Sequence, residues 1–290
     1  MSHKTTIGFI GLGLMGKPMA LNILKKGFPL VVYNRTESKT KELADQGAVV
    51  AHSPRELAEQ SEIIVTMVTA VEDVHNILFS ANGAIEGAQK GTLIIDMSTI
   101  GPTAAKLIDS ELKEHGMHFI DAPVTGSTPG AINGTLTIFI GASDEDLQKA
   151  TPLFETMGKN LQHLGPVGSG QAIKMINNHM IAATIEALSE SMVLADGMNL
   201  SRAKVAEVLK TTALASPILN LKIDNYVKED YSLLFTVANM KKDLSLALAE
   251  AKKSNKGLPL LETVEKQFEK AMAQNLGEED FSTIIKVLKK

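Results

Sequence analysis

The chain of 290 residues contains no cysteine. That excludes a disulfide framework, a cysteine nucleophile and any thiolate metal site. It also fits a reducing compartment. Tryptophan is absent too, and aromatic residues make up only 4%, so stacking platforms for bases or sugars are scarce. Basic residues do not exceed acidic ones: 29 Lys plus Arg stand against 33 Asp plus Glu, a formal charge of −4. A nucleic-acid backbone therefore finds no electrostatic footprint here. No apolar run reaches the ~18 residues of a membrane span. The start is short and polar, and Ile7–Ile10 is too brief for a signal segment. The expectation is a cytoplasmic protein with neither nucleic acid nor membrane as partner.

What is present reads as globular. Hydrophobic residues are 44% and charged residues 21%, outside the range of disordered chains. The length suggests roughly two domains, with a core that needs no covalent staple. The 13 methionines suit flexible core filling.

The first half alternates short β-rich runs with amphipathic stretches. The runs are Ile7–Ile10, Leu30–Tyr33, Val49–Ala51, Ile63–Met67, Leu93–Asp96, Phe119–Asp121, Leu136–Ile140 and Leu161–Leu164. Helical segments such as Met15–Lys26, Lys39–Gln46 and Pro102–His115 lie between them. This alternation predicts a doubly wound, mostly parallel sheet. Ser53-Pro54-Arg55-Glu56 combines an N-cap serine, proline at N1 and glutamate at N3, and Ser143 opens a similar start.

After Gly170 the character changes. Gln171–Leu200 has no proline, and its apolar residues fall on nearly every face, which predicts a helix buried on all sides. Helical segments follow at Arg202–Thr211, Leu219–Tyr226, Ala238–Lys253, Leu260–Gln274 and Phe281–Lys289. The reading is an α/β class chain. A Rossmann-type domain over 1–165 precedes an all-α domain over 166–290, with 166–200 as the joining helix.

The first run leads into Gly11-Leu12-Gly13-Leu14-Met15-Gly16, a G-x-G-x-x-G pattern. Gly11 permits a tight turn, Gly13 admits a pyrophosphate to the backbone, and Gly16 lets helix and strand pack closely. The helix N-terminus then holds the anion. The alternative is a glycine-rich turn without a ligand, but strand, loop and helix stand in the required order. After the second run comes Asn34-Arg35-Thr36 instead of the acidic residue that bonds the ribose of NAD. Arg35 can pair with a 2′-phosphate, and Asn34 and Thr36 can hydrogen-bond it. The expected cofactor is therefore NADP, with NADPH preferred over NADH. The competing reading is Arg35 as a solvated loop residue.

Hydride chemistry needs a proton donor or acceptor beside the reacting carbon. The histidines are scattered and show no metal or triad spacing, so no metal is expected. Lys174 stands out as a cation within the apolar helix, with Asn178 one turn on and Asn177 close by. Such a lysine must find an anion, a cavity or water, and burial would make it a ready general acid. A lysine snorkelling to the surface fits the same pattern, and the residues alone leave both open.

Four segments in order carry a family resemblance. They are Gly8 through Gly16 with Met19, Ala20 and Asn22; Asp121-Ala122-Pro123-Val124-Thr125-Gly126-Ser127; Gly168-x-Gly170-x-x-x-Lys174-x-x-Asn177-Asn178; and Lys242-Asp243-Leu244. Together they resemble the β-hydroxyacid dehydrogenase family, which includes 3-hydroxyisobutyrate dehydrogenase, tartronate semialdehyde reductase and the glyoxylate/succinic semialdehyde reductases. The resemblance implies Lys174 as acid/base and Asn178, with Asn177, holding the substrate. Thr125, Gly126 and Ser127 would bind its carboxylate. Thr99, Met67 and Val68 would line the nicotinamide side. Lys242 would reach the cofactor, and Asp243 would order the site in a cleft between the domains. Leu12, Leu14 and Met15 belong to the cofactor loop. The implied reaction interconverts a small anionic semialdehyde or keto acid and its hydroxy acid, in a homodimer or homotetramer. The substrate motif departs from the family's usual Ser-Gly-Gly. A sulfolactaldehyde-type reductase and a non-catalytic NADP-binding module are the alternatives.

Overall fold

The computed structural model describes residues 4–288; the polar start Met1–His3 and Lys289 at the end of the last predicted helix lie outside the described residues. Two compact units divide the chain, one up to Lys174 and one from Met175 onward.

In the first unit, six strands form one parallel sheet: β1 (Ile7–Ile10), β2 (Leu30–Tyr33), β3 (Val49–Val50), β4 (Ile63–Thr66), β5 (Leu93–Asp96) and β6 (His118–Asp121). Their spatial order is β3-β2-β1-β4-β5-β6. Helices α1 (Gly16–Lys25), α2 (Lys41–Asp45), α3 (Pro54–Glu59), α4 (Val71–Phe79) and α5 (Pro102–Glu114) make the crossovers. Alternate strand residues serve two cores. Ile7, Phe9, Leu30, Val32, Ile63, Val65, Leu93 and Ile95 enter one, while Ile10, Val31, Ile64 and Ile94 enter the other. This period of two, apolar on both faces, is what a parallel sheet covered on both sides requires. The N-caps read from the sequence are present: Ser53 Oγ accepts from Glu56 N at 3.0 Å, and Ser143 Oγ from Asp146 N at 3.1 Å.

The remaining strands separate from this sheet. β7 (Val124–Thr125), α6 (Ser127–Asn133), β8 (Leu136–Ile140), α7 (Asp144–Met157) and β9 (Gly158–His163) follow in order. β7 pairs antiparallel with β8, and β8 parallel with β9, in a second sheet of three strands.

Helix α8 (Ser169–Gly197) runs unbroken for 29 residues. The second unit continues with α9 (Arg202–Leu209), α10 (Pro217–Lys228), α11 (Val237–Lys253), α12 (Pro259–Ala273) and α13 (Ile285–Leu288), with no strand among its described residues. One side of α8 packs into two clusters through Ala182, Ile185, Leu188 and Met192. The expectation that α8 is buried on all sides is overturned. Ile176, Met180 and Leu194 lie about 60% exposed, because the neighbouring helices cover one side of it only.

Candidate active site

The strand order reverses between β1 and β4, the point at which ligands bind outside the carboxyl ends of such sheets. A cavity of about 550 Å³ opens there, bordered by Gly11, Gly13, Arg35, Thr36, Met67 and Val68. Its floor is the loop after β1. Gly11 has φ +100°, and a Cβ on it would stand 2.3 Å from Met67 O. A Cβ on Gly16 would stand 1.9 Å from Gly11 O, whereas one on Gly13 meets nothing within 4 Å. Two glycines thus let the backbone fold on itself, and the third leaves open space on the loop. Helix α1 starts without a side-chain cap; Lys17 N donates to Gly13 O and Pro18 has no N–H, which leaves Gly16 N at the helix start for an anion. These residues fit a dinucleotide pyrophosphate.

The structure assigns the flanking residues more finely. Asn34 Oδ1 accepts from Leu12 N at 2.8 Å, and Asn34 Nδ2 donates to Thr36 O at 2.8 Å. Its amide is thus spent on bracing the loop. Arg35 is 91% exposed, with Asp73 Oδ1 3.9 Å from its guanidinium. The side chain of Leu12 is in the core and Leu14 is exposed, while Met15 packs against the core. Lys39, which sequence reasoning passed over, also borders the cavity. The signal was a second cation four residues after Arg35. Val68 N donates to Ser98 Oγ at 2.9 Å, tying the loop after β4 to the loop that carries Thr99.

Lys174 is 8% exposed. Its Nζ donates to Val124 O at 2.7 Å, the residue that precedes Thr125-Gly126-Ser127. In that triplet Gly126 has φ +128° and Ser127 φ +54°. A serine in the left-handed region is strained, a feature that gathers at ligand sites. Beneath Lys174, Asp121 accepts from Gly168 N and Gln171 N. Burial, reinforced by Asp96, pushes the Asp121 carboxyl up to about 6 against the pull of those N–H groups.

Within the second unit, the other expected residues form one network. Asn177 Nδ2 donates to Asn178 Oδ1 at 3.0 Å, and Asn178 Nδ2 donates to Asp243 Oδ2 at 2.6 Å. Lys242 Nζ lies 2.9 Å from Asp243 Oδ1. Asp243 is buried, so the pair of α11 residues is anchored on α8. Among the described residues, no cluster of His, Cys, Asp and Glu could hold a metal ion, and no helix is long and apolar enough to cross a membrane.

A parallel sheet with its glycine loop at the switch point, followed by a helical unit, defines a dinucleotide-binding protein. Comparison with known proteins agrees. Residues 6–165 match the model for the NAD binding domain of 6-phosphogluconate dehydrogenase. Residues 168–288 match that for the NAD-binding region of NADP-dependent 3-hydroxyisobutyrate dehydrogenase. An uncharacterized oxidoreductase of Bacillus subtilis, YkwC, is 38% identical, covering 97% of this chain and 96% of its own. The 2-(hydroxymethyl)glutarate dehydrogenase of Eubacterium barkeri is 34% identical, over 99% and 96%. A Mycobacterium tuberculosis 3-hydroxyisobutyrate dehydrogenase structure with L-serine superposes with a TM-score of 0.89 at 29% identity, over 99% and 100%. The chain belongs to the β-hydroxyacid dehydrogenase family and is an NAD(P)-dependent enzyme acting on hydroxy acids or the matching semialdehydes.

Proposed function

We propose that the enzyme interconverts a small carboxylate-bearing semialdehyde or keto acid and its hydroxy acid, with NADPH preferred and Lys174 as general acid/base. The observation that carries this is the placement of Lys174: a buried ammonium, bonded to Val124 O, one residue from the start of Thr125-Gly126-Ser127. A bound nicotinamide dinucleotide supplies the hydride. Lys174 then gives its proton to the nascent alkoxide, or takes one in the reverse direction. The Thr125 and Ser127 hydroxyls and nearby N–H groups hold the substrate carboxylate. Asn178, steadied by Asn177 and Asp243, holds the reacting end of the substrate, and Lys242 serves the cofactor.

The cofactor preference rests on the residues after β2. The residue directly after β2 is Asn34 rather than a carboxylate that bonds a ribose 2′-OH, and Arg35, Thr36 and Lys39 border the cavity together with Asp73. Two cations and a hydroxyl suit a 2′-phosphate. The apolar stripe of α8, Ile176, Met180 and Leu194, supports a homodimer or homotetramer, since a face of that kind is normally covered by a partner.

The test is a panel of glyoxylate and succinic, tartronic and methylmalonic semialdehydes with NADPH and NADH. Turnover of at least one member, lost by orders of magnitude in Lys174→Ala with NADPH still bound, is the expected outcome. A Lys174→Ala enzyme that keeps most of its activity overturns the assignment of the lysine. A higher kcat/KM with NADH overturns the cofactor preference.

A further inference from the structure

We propose that Gln171 and Asp121 are positioning residues for Lys174, clamping the first turn of α8 onto the carboxyl ends of β5 and β6. The proposal rests on the reading of Lys174 as the proton donor.

Gln171 is fully buried. Its Oε1 accepts from Ile100 N and Gly101 N, both at 3.0 Å, and its Nε2 donates to Ser98 O at 2.8 Å. These partners admit one orientation of the amide, because a flipped NH₂ would face two donors. Gln171 therefore reads the loop after β5 with three bonds, on the segment that contains Thr99. The same loop receives Val68 N through Ser98 Oγ. The loop after β4, the loop after β5 and the lysine helix form one hydrogen-bonded frame.

Asp121 fixes the same turn from the other side. Its Oδ1 accepts from Gly168 N at 2.6 Å and its Oδ2 from Gln171 N at 2.7 Å. A strand carboxylate thus replaces the local N-cap that α8 lacks in Gly168. The close fit is built in. A Cβ on Gly141 would lie 2.2 Å from Asp121 Oδ1, and one on Gly170 would lie 2.3 Å from Phe139 O and 2.9 Å from Asp121 Oδ2. Glycine at both positions leaves room for the carboxylate. Lys174 follows Gln171 by three residues, so both side chains leave the helix on neighbouring positions of one face. Its Nζ stands at the end of a four-carbon stem, where a small shift of the first turn becomes a misplacement at the reacting atom.

The variants are Gln171→Met, which keeps the volume and loses all three bonds, Gln171→Glu, which keeps the acceptor, and Asp121→Asn. Each is assayed for kcat, KM, NADPH affinity from the cofactor's own fluorescence, and amide exchange over residues 168–174. The expected result for Gln171→Met is a kcat about ten- to a hundredfold lower, the cost of a misplacement near 1 Å. Its NADPH affinity stays within about threefold and exchange in the segment accelerates. Gln171→Glu recovers part of kcat, and Asp121→Asn behaves like Gln171→Met. A kcat within about threefold of wild type, or a loss matched by an equal loss of NADPH binding, overturns the proposal. Should Gln171→Met fail to fold, Gln171→Glu and Asp121→Asn decide by the same criteria. If the wild-type chain turns over no member of the panel, the functional reading fails. The clamp is then judged on exchange alone, and unchanged exchange in the variants overturns it.

Discussion

Replacing Glu186 with glutamine should stabilise the protein above neutral pH and do much less near pH 5. Glu186 lies on α8 at 5% exposure, and neither carboxyl oxygen has a hydrogen-bond partner among the described residues. Burial, with Glu190 adding repulsion and Lys270 opposing, pushes its carboxyl up to about 7 from the ordinary 4.5. The folded chain therefore holds this proton about 3 kcal/mol more tightly than the unfolded chain does. Below pH 4.5 the group is neutral in both states and no charge penalty exists. Between 4.5 and 7 the unfolded chain ionises first, and stability falls as pH rises. Above 7 the penalty is complete.

Glutamine keeps the shape and remains neutral throughout, so the variant should gain about 2–3 kcal/mol at pH 8 and less than about 1 kcal/mol at pH 5. At roughly 2–4 °C per kcal/mol, the melting midpoint at pH 8 should rise by about 5–10 °C. The assay is thermal unfolding by circular dichroism from pH 5 to 9 at fixed protein concentration, with Glu190→Gln as a control for the smaller repulsive part. A variant that melts below wild type at pH 8 refutes the reasoning, because it would mean the carboxylate is ionised and paired. Parallel pH slopes for the two proteins refute it as well.

Four further outcomes follow from the geometry. Lys222 and Asp280 form a 2.6 Å ion pair at 1% and 0% exposure, and Asp280 also accepts from Leu234 N and Ser282 N. Lys222→Ala leaves that carboxylate without its cation and should cost about 3–5 kcal/mol in urea unfolding; a loss under about 1 kcal/mol contradicts the account. Gly11→Ala forces a Cβ to 2.3 Å from Met67 O at φ +100°, so NADPH titration should detect no binding up to millimolar cofactor. The double variant Arg35→Ser, Lys39→Ser should lower kcat/KM with NADPH at least about tenfold and leave NADH within about threefold, and equal losses with both cofactors would argue against a 2′-phosphate grip. The Asp121 carboxylate is the form that accepts from both Gly168 N and Gln171 N, and it takes up a proton as pH falls through about 6. A pH–kcat profile should therefore show an acid limb near pH 6 that is absent from Asp121→Asn.

The sequence by itself determined whatever depends on neighbours along the chain. The near-continuous apolar runs in Ile7–Ile10, Ile63–Thr66 and Leu93–Asp96 specify strands buried on both faces, and the glycines at 11, 13 and 16 specify the turn, since both follow from local sterics and composition. The serine caps at Ser53 and Ser143 were legible for the same reason. Lys174 could be singled out, but whether it was buried or snorkelling could not, because that depends on Val124, fifty residues earlier. Tertiary structure alone decided that the later strands leave the main sheet for a second one of three. It alone brought Ser98, Ile100 and Gly101 to Gln171 across some seventy residues. The same holds for α8. Its composition predicts burial on every side, yet Ile176, Met180 and Leu194 face outward. A residue's polarity states what environment it favours. Only the packing of distant elements determines how much of that environment a single chain can supply.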